Sequence, residues 1–390
     1  MSSFLDIESR FGPGITATRE VCLVRGEGSW AFDESGRRYL DFSMAHGSVA
    51  LGHAHPAVAS AMKRALEEGI LNCGMGFSSP FRARLLERLC QGLGGKFRGF
   101  LANSGAEAIE TAIKLCALKR PGRKRFVALR RSFHGRTLGA SSLTFNPNYK
   151  RGLEHLLLEV DFIRPIEEDL DRVDEGVAAV FVEPVQGEGG VYPLPPDFLR
   201  ALRSRCDEVG SLLVADEVQC GFFRCGSLAL SVEDGISPHV VCLAKGMANG
   251  IPIGACLWRE ELGPLPPKVH GTTYGGNPLV CAVALAVLDV VEEERLGERA
   301  TRMGRGLISL IEEARHPRVK EVRGRGLLVG VELTGPVAEE VVRSLQGKGV
   351  LALTTSNRSV VRFMPSLLVS EEELELAASA LLSALDELER

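Results

Sequence analysis

Short continuous apolar runs alternate with helical patterns through the middle of the chain. The runs Val177–Val182, Leu212–Ala215, Val240–Ala244 and Ile253–Trp258 show no polar alternation. That is the signature of strands buried on both faces of a parallel sheet. Gly99–Ala102 and Arg125–Arg131 read as further strands. Helices are predicted where apolar residues recur at three- and four-residue spacing. One opens at Pro56 with Val58, Met62, Ala65 and Leu66 on its apolar side. Another follows Ser79-Pro80 with Phe81, Leu85, Leu86 and Leu89. Ser104–Leu118 turns Ala108, Ile109, Ala112, Leu115 and Cys116 inward, and Pro196–Val209 and Pro278–Glu293 complete the set. Strands alternating with helices argue an α/β fold with a mainly parallel sheet.

The two ends of the chain read differently. Residues 1–24 contain Gly12-Pro13-Gly14 and little periodicity, and are expected to form a mobile arm. Trp30-Ala31-Phe32 and Arg38–Phe42 flank Asp33-Glu34-Ser35-Gly36, a hairpin signal. Past Glu293, Leu327–Leu333 and Val360–Phe363 read as strands, with helices at Ala338–Leu345 and Ser370–Leu388. Ser370 and Glu373 form a capping-box pattern. The expected organisation is an arm and part of a small domain in 1–50, a large domain in 51–289, and the rest of an α+β small domain in 290–390.

Composition narrows the classes. A formal net charge of −4 is too near neutral for a nucleic-acid or anionic-membrane partner. The basic stretch 119–131 lacks interleaved aromatics and reads as a solvated connection. Most of the 10 cysteines sit singly in apolar runs, as buried free thiols do. Cys220 and Cys225 have no second Cys/His pair nearby, and the pattern His53-Ala54-His55-Pro56 reads as a turn and helix start, so no metal site is expected. An early acid and no apolar core at the N-terminus argue against a signal peptide, and no run reaches membrane-spanning length. A cytoplasmic enzyme is expected.

Two strand ends carry the candidate chemistry. Leu212–Ala215 runs into Asp216, and Val240–Ala244 runs into Lys245. Open α/β sheets bind ligands at the carboxyl ends of their strands, so these two charges would share one crevice. Strand-end charges facing solvent are the competing reading. A buried lysine has a lowered pKa and becomes an amine nucleophile for carbonyls. With an aspartate opposite, the pairing suggests pyridoxal phosphate, its aldehyde held by the lysine and its ring nitrogen by the carboxylate. Ser104-Gly105-Ala106 opens a helix straight after a strand, where free backbone N–H groups favour an anion such as a phosphate.

Five segments, in order, are Asn103–Ala108, Phe133-His134-Gly135-Arg136-Thr137, Asp216-Glu217-Val218-Gln219, Leu243-Ala244-Lys245-Gly246 and Gly271–Pro278. Together they resemble the class III pyridoxal-phosphate-dependent aminotransferases, most of all the acetylornithine/ornithine branch. The resemblance runs from about Arg25 to near the C-terminus. It implies fold type I, with a seven-stranded-type sheet in the large domain, and a homodimer with active sites at the subunit interface. It also implies roles. Lys245 and Asp216 are catalytic. Ser104, Gly105, Ala106, Phe133, Val218, Gln219 and Thr273 join them around the cofactor, with Phe133 stacked on its ring and Thr273 reaching the neighbouring subunit's phosphate. His134 supports the turn. Arg136 meets a substrate carboxylate, Thr272 lies near substrate, and Glu183 belongs to the set. Glu188 and Arg362 act as a switch, in which the arginine is either neutralised by the glutamate or free to clamp an α-carboxylate.

The segments around His46 and Asn72–Phe77, and Met364-Pro365-Ser366, depart from the branch's usual pattern, as do Cys220 and Cys225. The expected reaction moves an ω-amino group from acetylornithine or a related donor to 2-oxoglutarate, by ping-pong kinetics. The alternatives are another ω-amine donor (4-aminobutyrate, a polyamine or an amino sugar) or an aminomutase or racemase on the same scaffold.

Overall fold

The computed structural model describes residues 3–15 and 19–388. Its centre is a seven-stranded sheet. In chain order the strands are β1 (Phe97–Ala102), β2 (Arg125–Leu129), β3 (Val160–Ile163), β4 (Val177–Val182), β5 (Leu212–Asp216), β6 (Val240–Leu243) and β7 (Gly254–Arg259). Across the sheet the order is β1-β7-β6-β5-β4-β2-β3. All neighbours are parallel except at β7, which runs antiparallel to both β6 and β1. The mainly parallel sheet expected from the apolar runs is therefore present.

Side-chain alternation divides the sheet between two layers. Phe126, Ala128, Phe181, Val214 and Cys242 pack on one face with Ala108, Ile109, Ala112, Leu115 and Cys116 of the helix Gly105–Lys119. Val127, Leu129, Val180, Val182 and Leu213 pack on the other with Phe198, Leu199, Leu202, Cys206 and Val209 of Pro196–Val209. Every residue of β4, β5 and β6 is buried, which is why those strands read as unbroken apolar runs.

The basic stretch links the helix Gly105–Lys119 to β2 with Lys124, Arg130 and Arg131 exposed, and two of its arginines also anchor it. Arg123 donates to the carbonyls of Val177 and Val209 at 3.0 and 2.9 Å. Arg125 pairs with Asp161 and Asp174. Arg123 thus takes up carbonyls at the start of β4 and at the end of the helix Pro196–Val209, while Arg125 ties β2 to carboxylates.

The hairpin Trp30–Asp33 and Arg38–Asp41 forms as expected, its turn held by Asp33 Oδ1. It joins Leu23–Glu27 on one side and, in parallel, Val350–Leu351 on the other. A second sheet of four strands holds Val319–Arg325, Leu328–Leu333, Val360–Phe363 and Leu353–Thr354. His55 caps the helix Pro56–Glu68 through Ala57 N, and His53 bonds Asp41 at 3.0 Å, so both histidines serve the turn.

The arm expected in 1–24 lies partly outside the described residues, at 1–2 and 16–18. Within it, Phe4–Phe11 is a helix, closed by a Ser3/Asp6 capping box and burying no side chain. Local capping, rather than packing, specifies this element.

Candidate active site

The carboxyl ends of β5 and β6 open on a cavity of about 330 Å³, within the usual range for small-molecule sites. Asp216, Val218 and Gln219 line it from the end of β5, and Lys245 from the end of β6. Ser104, Gly105 and Ala106 line it from the start of a helix, and Phe133 and Glu183 complete the wall. Expected cofactor residues separated by more than a hundred positions thus converge on one space.

Lys245 stands at φ 40°, in the left-handed region that costs a non-glycine residue free energy. Burial lowers its pKa, and nearby Asp216 partly offsets that. A larger share of free amine at neutral pH follows. Asp216 is itself buried. Its Oδ2 lies 2.7 Å from His134 Nδ1, and its Oδ1 accepts from Val218 N at 3.0 Å. His134 supports the turn through its backbone, donating to Thr144 Oγ1 at 3.0 Å, and its imidazole also aims the aspartate.

Glu183 is buried beside this pair and accepts from Phe133 N at 2.9 Å. Burial, then the Asp216 charge, push its carboxyl well above the ordinary 4.5. The native state therefore binds this proton more tightly than the unfolded chain does. Its stabilising effect is complete below 4.5 and is lost as pH rises through the raised native value. Glu183→Gln should flatten that decline. In cofactor-free protein, the melting temperature of the variant should gain on wild type by on the order of 2 °C as pH rises through this window. Parallel melting curves for the two proteins would count against the raised value.

The helix start has the features of an anion cradle. Ser104 Oγ accepts from Glu107 N at 3.2 Å, and its carbonyl takes Ala108 N. The amides of Gly105 and Ala106 lie in the first turn, where no intrahelical acceptor exists, and they open on the cavity. A Cβ on Gly105 would stand 2.6 Å from Val218 Cγ1, so only glycine keeps this approach. A phosphate fits these residues, and Lys245 and Asp216 fit an aldehyde and a protonated ring nitrogen.

A buried polar chain lies next to the cavity. Arg362, on the strand Val360–Phe363, is 1% exposed. Its Nη1 lies 3.0 Å from Glu188 Oε2 and 3.1 Å from Gln219 Oε1. Glu188 Oε1 accepts from Tyr149 Oη at 3.0 Å. Arg136 stands over the Tyr149 ring, 3.8 Å from its centre, and Phe133 meets that ring edge-on. Tyr149 escaped the sequence reading because nothing in its spacing marks it. A hollow of about 490 Å³ borders Glu188 and Arg362 and is also lined by His46 and Arg19. Desolvation, then the charges of Arg362 and Lys245, lower the His46 pKa.

Thr272 and Thr273 are not among the residues lining the cavity. Thr272 Oγ1 accepts from Gly275 N at 3.0 Å and Asn103 Nδ2 at 3.3 Å, and Thr273 is exposed in the same loop. Met75, Phe77 and Tyr274 are exposed close by, and Asn72 Nδ2 donates to the Thr273 carbonyl.

The family model "Aminotransferase class-III" matches residues 15–385. The chain belongs to the class III aminotransferases. Acetylornithine aminotransferase of Methanopyrus kandleri is 41% identical over 370 residues, 94% of each chain. Ornithine aminotransferase 2 of Staphylococcus saprophyticus is 37% identical over 387 residues, 96% of each. An ornithine aminotransferase structure from Toxoplasma gondii, with partial occupancy of pyridoxal phosphate at its active site, superposes with a TM-score of 0.92. It is 30% identical, covering 99% of this chain and 94% of that one. As a class III aminotransferase the protein is an enzyme that transfers an amino group, in a family that depends on pyridoxal phosphate and uses small-molecule donors and 2-oxo acids. No helix among its described residues is long and apolar enough to cross a membrane.

Proposed function

We propose that this chain binds pyridoxal phosphate and moves the ω-amino group of acetylornithine or a related donor to 2-oxoglutarate. The observation that carries this is the convergence of Lys245, Asp216 and the helix start at Gly105 on one cavity. When bound, the cofactor supplies an electron-accepting ring and carries the amino group between the two half-reactions. Lys245 offers its amine to the aldehyde and later moves the proton at the amino-bearing carbon of the substrate. Asp216, aimed by His134, holds the ring nitrogen protonated. Ser104, Gly105 and Ala106 take the phosphate, while Phe133, Val218 and Gln219 bound the ring. Gly105→Ala should weaken cofactor affinity about 10-fold in a fluorescence titration, by crowding Val218 and the phosphate site.

Arg136 would receive a substrate carboxylate, for which a guanidinium fork is suited. Arg362, released from Glu188, would take the α-carboxylate of the 2-oxo acid. With the pair closed, the same wall is neutral and admits a chain ending in an amine. One site can then accept two dissimilar substrates.

The active form is a homodimer. The exposed apolar groups Met75, Phe77 and Tyr274, gathered beside Thr272 and Thr273, support a subunit contact there. Thr273 then reaches the partner's cofactor phosphate and Thr272 the substrate. Residues 51–289 form the cofactor-holding domain, with 1–50 and 290–390 making the smaller one. The pairing of Val350–Leu351 with Arg38–Asp41 supports that division. All ten cysteines are free thiols, in keeping with a cytoplasmic enzyme.

The test is a donor screen with 2-oxoglutarate, reading glutamate. Acetylornithine or a close ω-amine should be fastest. Inert acetylornithine beside a fast simple amine would overturn the donor assignment.

A further inference from the structure

We propose that Tyr149 is a positioning residue for the acceptor half of the reaction, holding Glu188 in place whenever Arg362 leaves it. This rests on the reading of Arg362 and Glu188 given above.

Tyr149 closes the short turn Pro147–Tyr149. Its Oη lies 3.0 Å from Glu188 Oε1 and 3.0 Å from Ser356 Oγ. A carboxylate paired with an arginine can only accept, so Tyr149 donates to Glu188. The phenol has one proton, so Ser356 must donate to Tyr149. The bonds therefore run one way, from Ser356 through Tyr149 to Glu188, and they meet Arg362 coming from the other side. Ser356 N also donates to the Glu188 carbonyl at 2.8 Å. Glu188 is thus tied at backbone and side chain to the same pair of residues. Desolvation, then the Glu188 charge, raise the Tyr149 pKa, which keeps the phenol a donor.

The consequence is asymmetric. While Arg362 is paired, Glu188 has two side-chain donors among the described residues, and losing the phenol leaves the ion pair intact. Once Arg362 turns to an α-carboxylate, Tyr149 is the side-chain donor that remains. A partly buried carboxylate without a donor is costly. Removing the hydroxyl therefore disfavours the released arrangement and spares the paired one. The ring has a separate task, since Arg136 and Phe133 rest on it. Tyr149→Phe keeps those ring contacts and deletes only the hydroxyl.

Glutarate, a dicarboxylate without a reacting carbonyl, is the probe. Titrated calorimetrically into holoenzyme, it should bind Tyr149→Phe about 10-fold more weakly than wild type. In single turnover, the 2-oxoglutarate half-reaction should fall about 10-fold further than the donor half. Ser356→Ala should move both readings the same way by less. In a Glu188→Ala background, Tyr149→Phe should add nothing, because its effect passes through Glu188. Equal losses in the two halves, unchanged glutarate binding, or a loss that persists without Glu188 would each overturn the proposal. Wild-type enzyme that binds no glutarate would instead overturn the acceptor assignment, and this inference with it.

Discussion

Lys245→Ala is expected to lower turnover by roughly 10³-fold or more, the scale of losing a nucleophile and a proton carrier together. Its neighbours explain why no other group can take over. Asp216 is committed to His134 and Val218, and burial, with the Asp216 charge, raises the Glu183 pKa, which disfavours the carboxylate form that could accept a proton. The variant should still bind cofactor, because the helix amides and Asp216 remain, but it should release it on dialysis. Activity can therefore be separated from binding: absorbance before and after dialysis reports the attachment, and a turnover assay reports the chemistry. Retained turnover, or cofactor that stays covalently attached without the lysine, would remove the basis of the proposed function.

Arg362→Ala is expected to cost the 2-oxoglutarate half-reaction about 100-fold and the donor half much less. Truncating one member of a buried charge pair commonly costs that much, partly because the other charge is left unpaired. Arg362 is 1% exposed and faces Glu188 and Gln219 together. In the acceptor half it is the cation that would meet the incoming carboxylate. In the donor half its proposed task is to be neutralised, and its removal would leave Glu188 free to attract an amine. Single-turnover rates for each half, measured separately, decide the matter. Equal losses would mean that Arg362 holds the wall together and does not switch.

Much of the large sheet was legible because β4, β5 and β6 are buried throughout and read as uninterrupted apolar runs. Their charged ends, Asp216 and Lys245, were legible for the same reason. Elements whose burial is partial were harder to see. The edge strand β3 buries only Ile163 fully, so no apolar run marks it. The helix Leu296–Glu313 buries Leu296, Ala300, Met303, Leu307 and Ile311, but the intervening Gly297, Gly304 and Gly306 weaken its signal. Val319–Arg325 alternates with charges and glycine at an exposed face. In the site, the bond from His134 to Asp216 joins residues 82 apart, and Tyr149 meets Ser356 across 207. Spacing along a chain holds no record of such meetings; they exist once the sheet has brought the loops together.

The parallel pairing of Arg38–Asp41 with Val350–Leu351 sets an order on synthesis. Arg37 donates to the Gln346 carbonyl 309 residues later, and Ser29 meets Glu373 across 344. On the ribosome, the first hairpin emerges long before the strand that completes it. Its outer edge waits with unpaired amides and carbonyls, open to association with other nascent chains. Closing so long a loop is slow, so the hairpin is finished only when a strand made far later in synthesis reaches it.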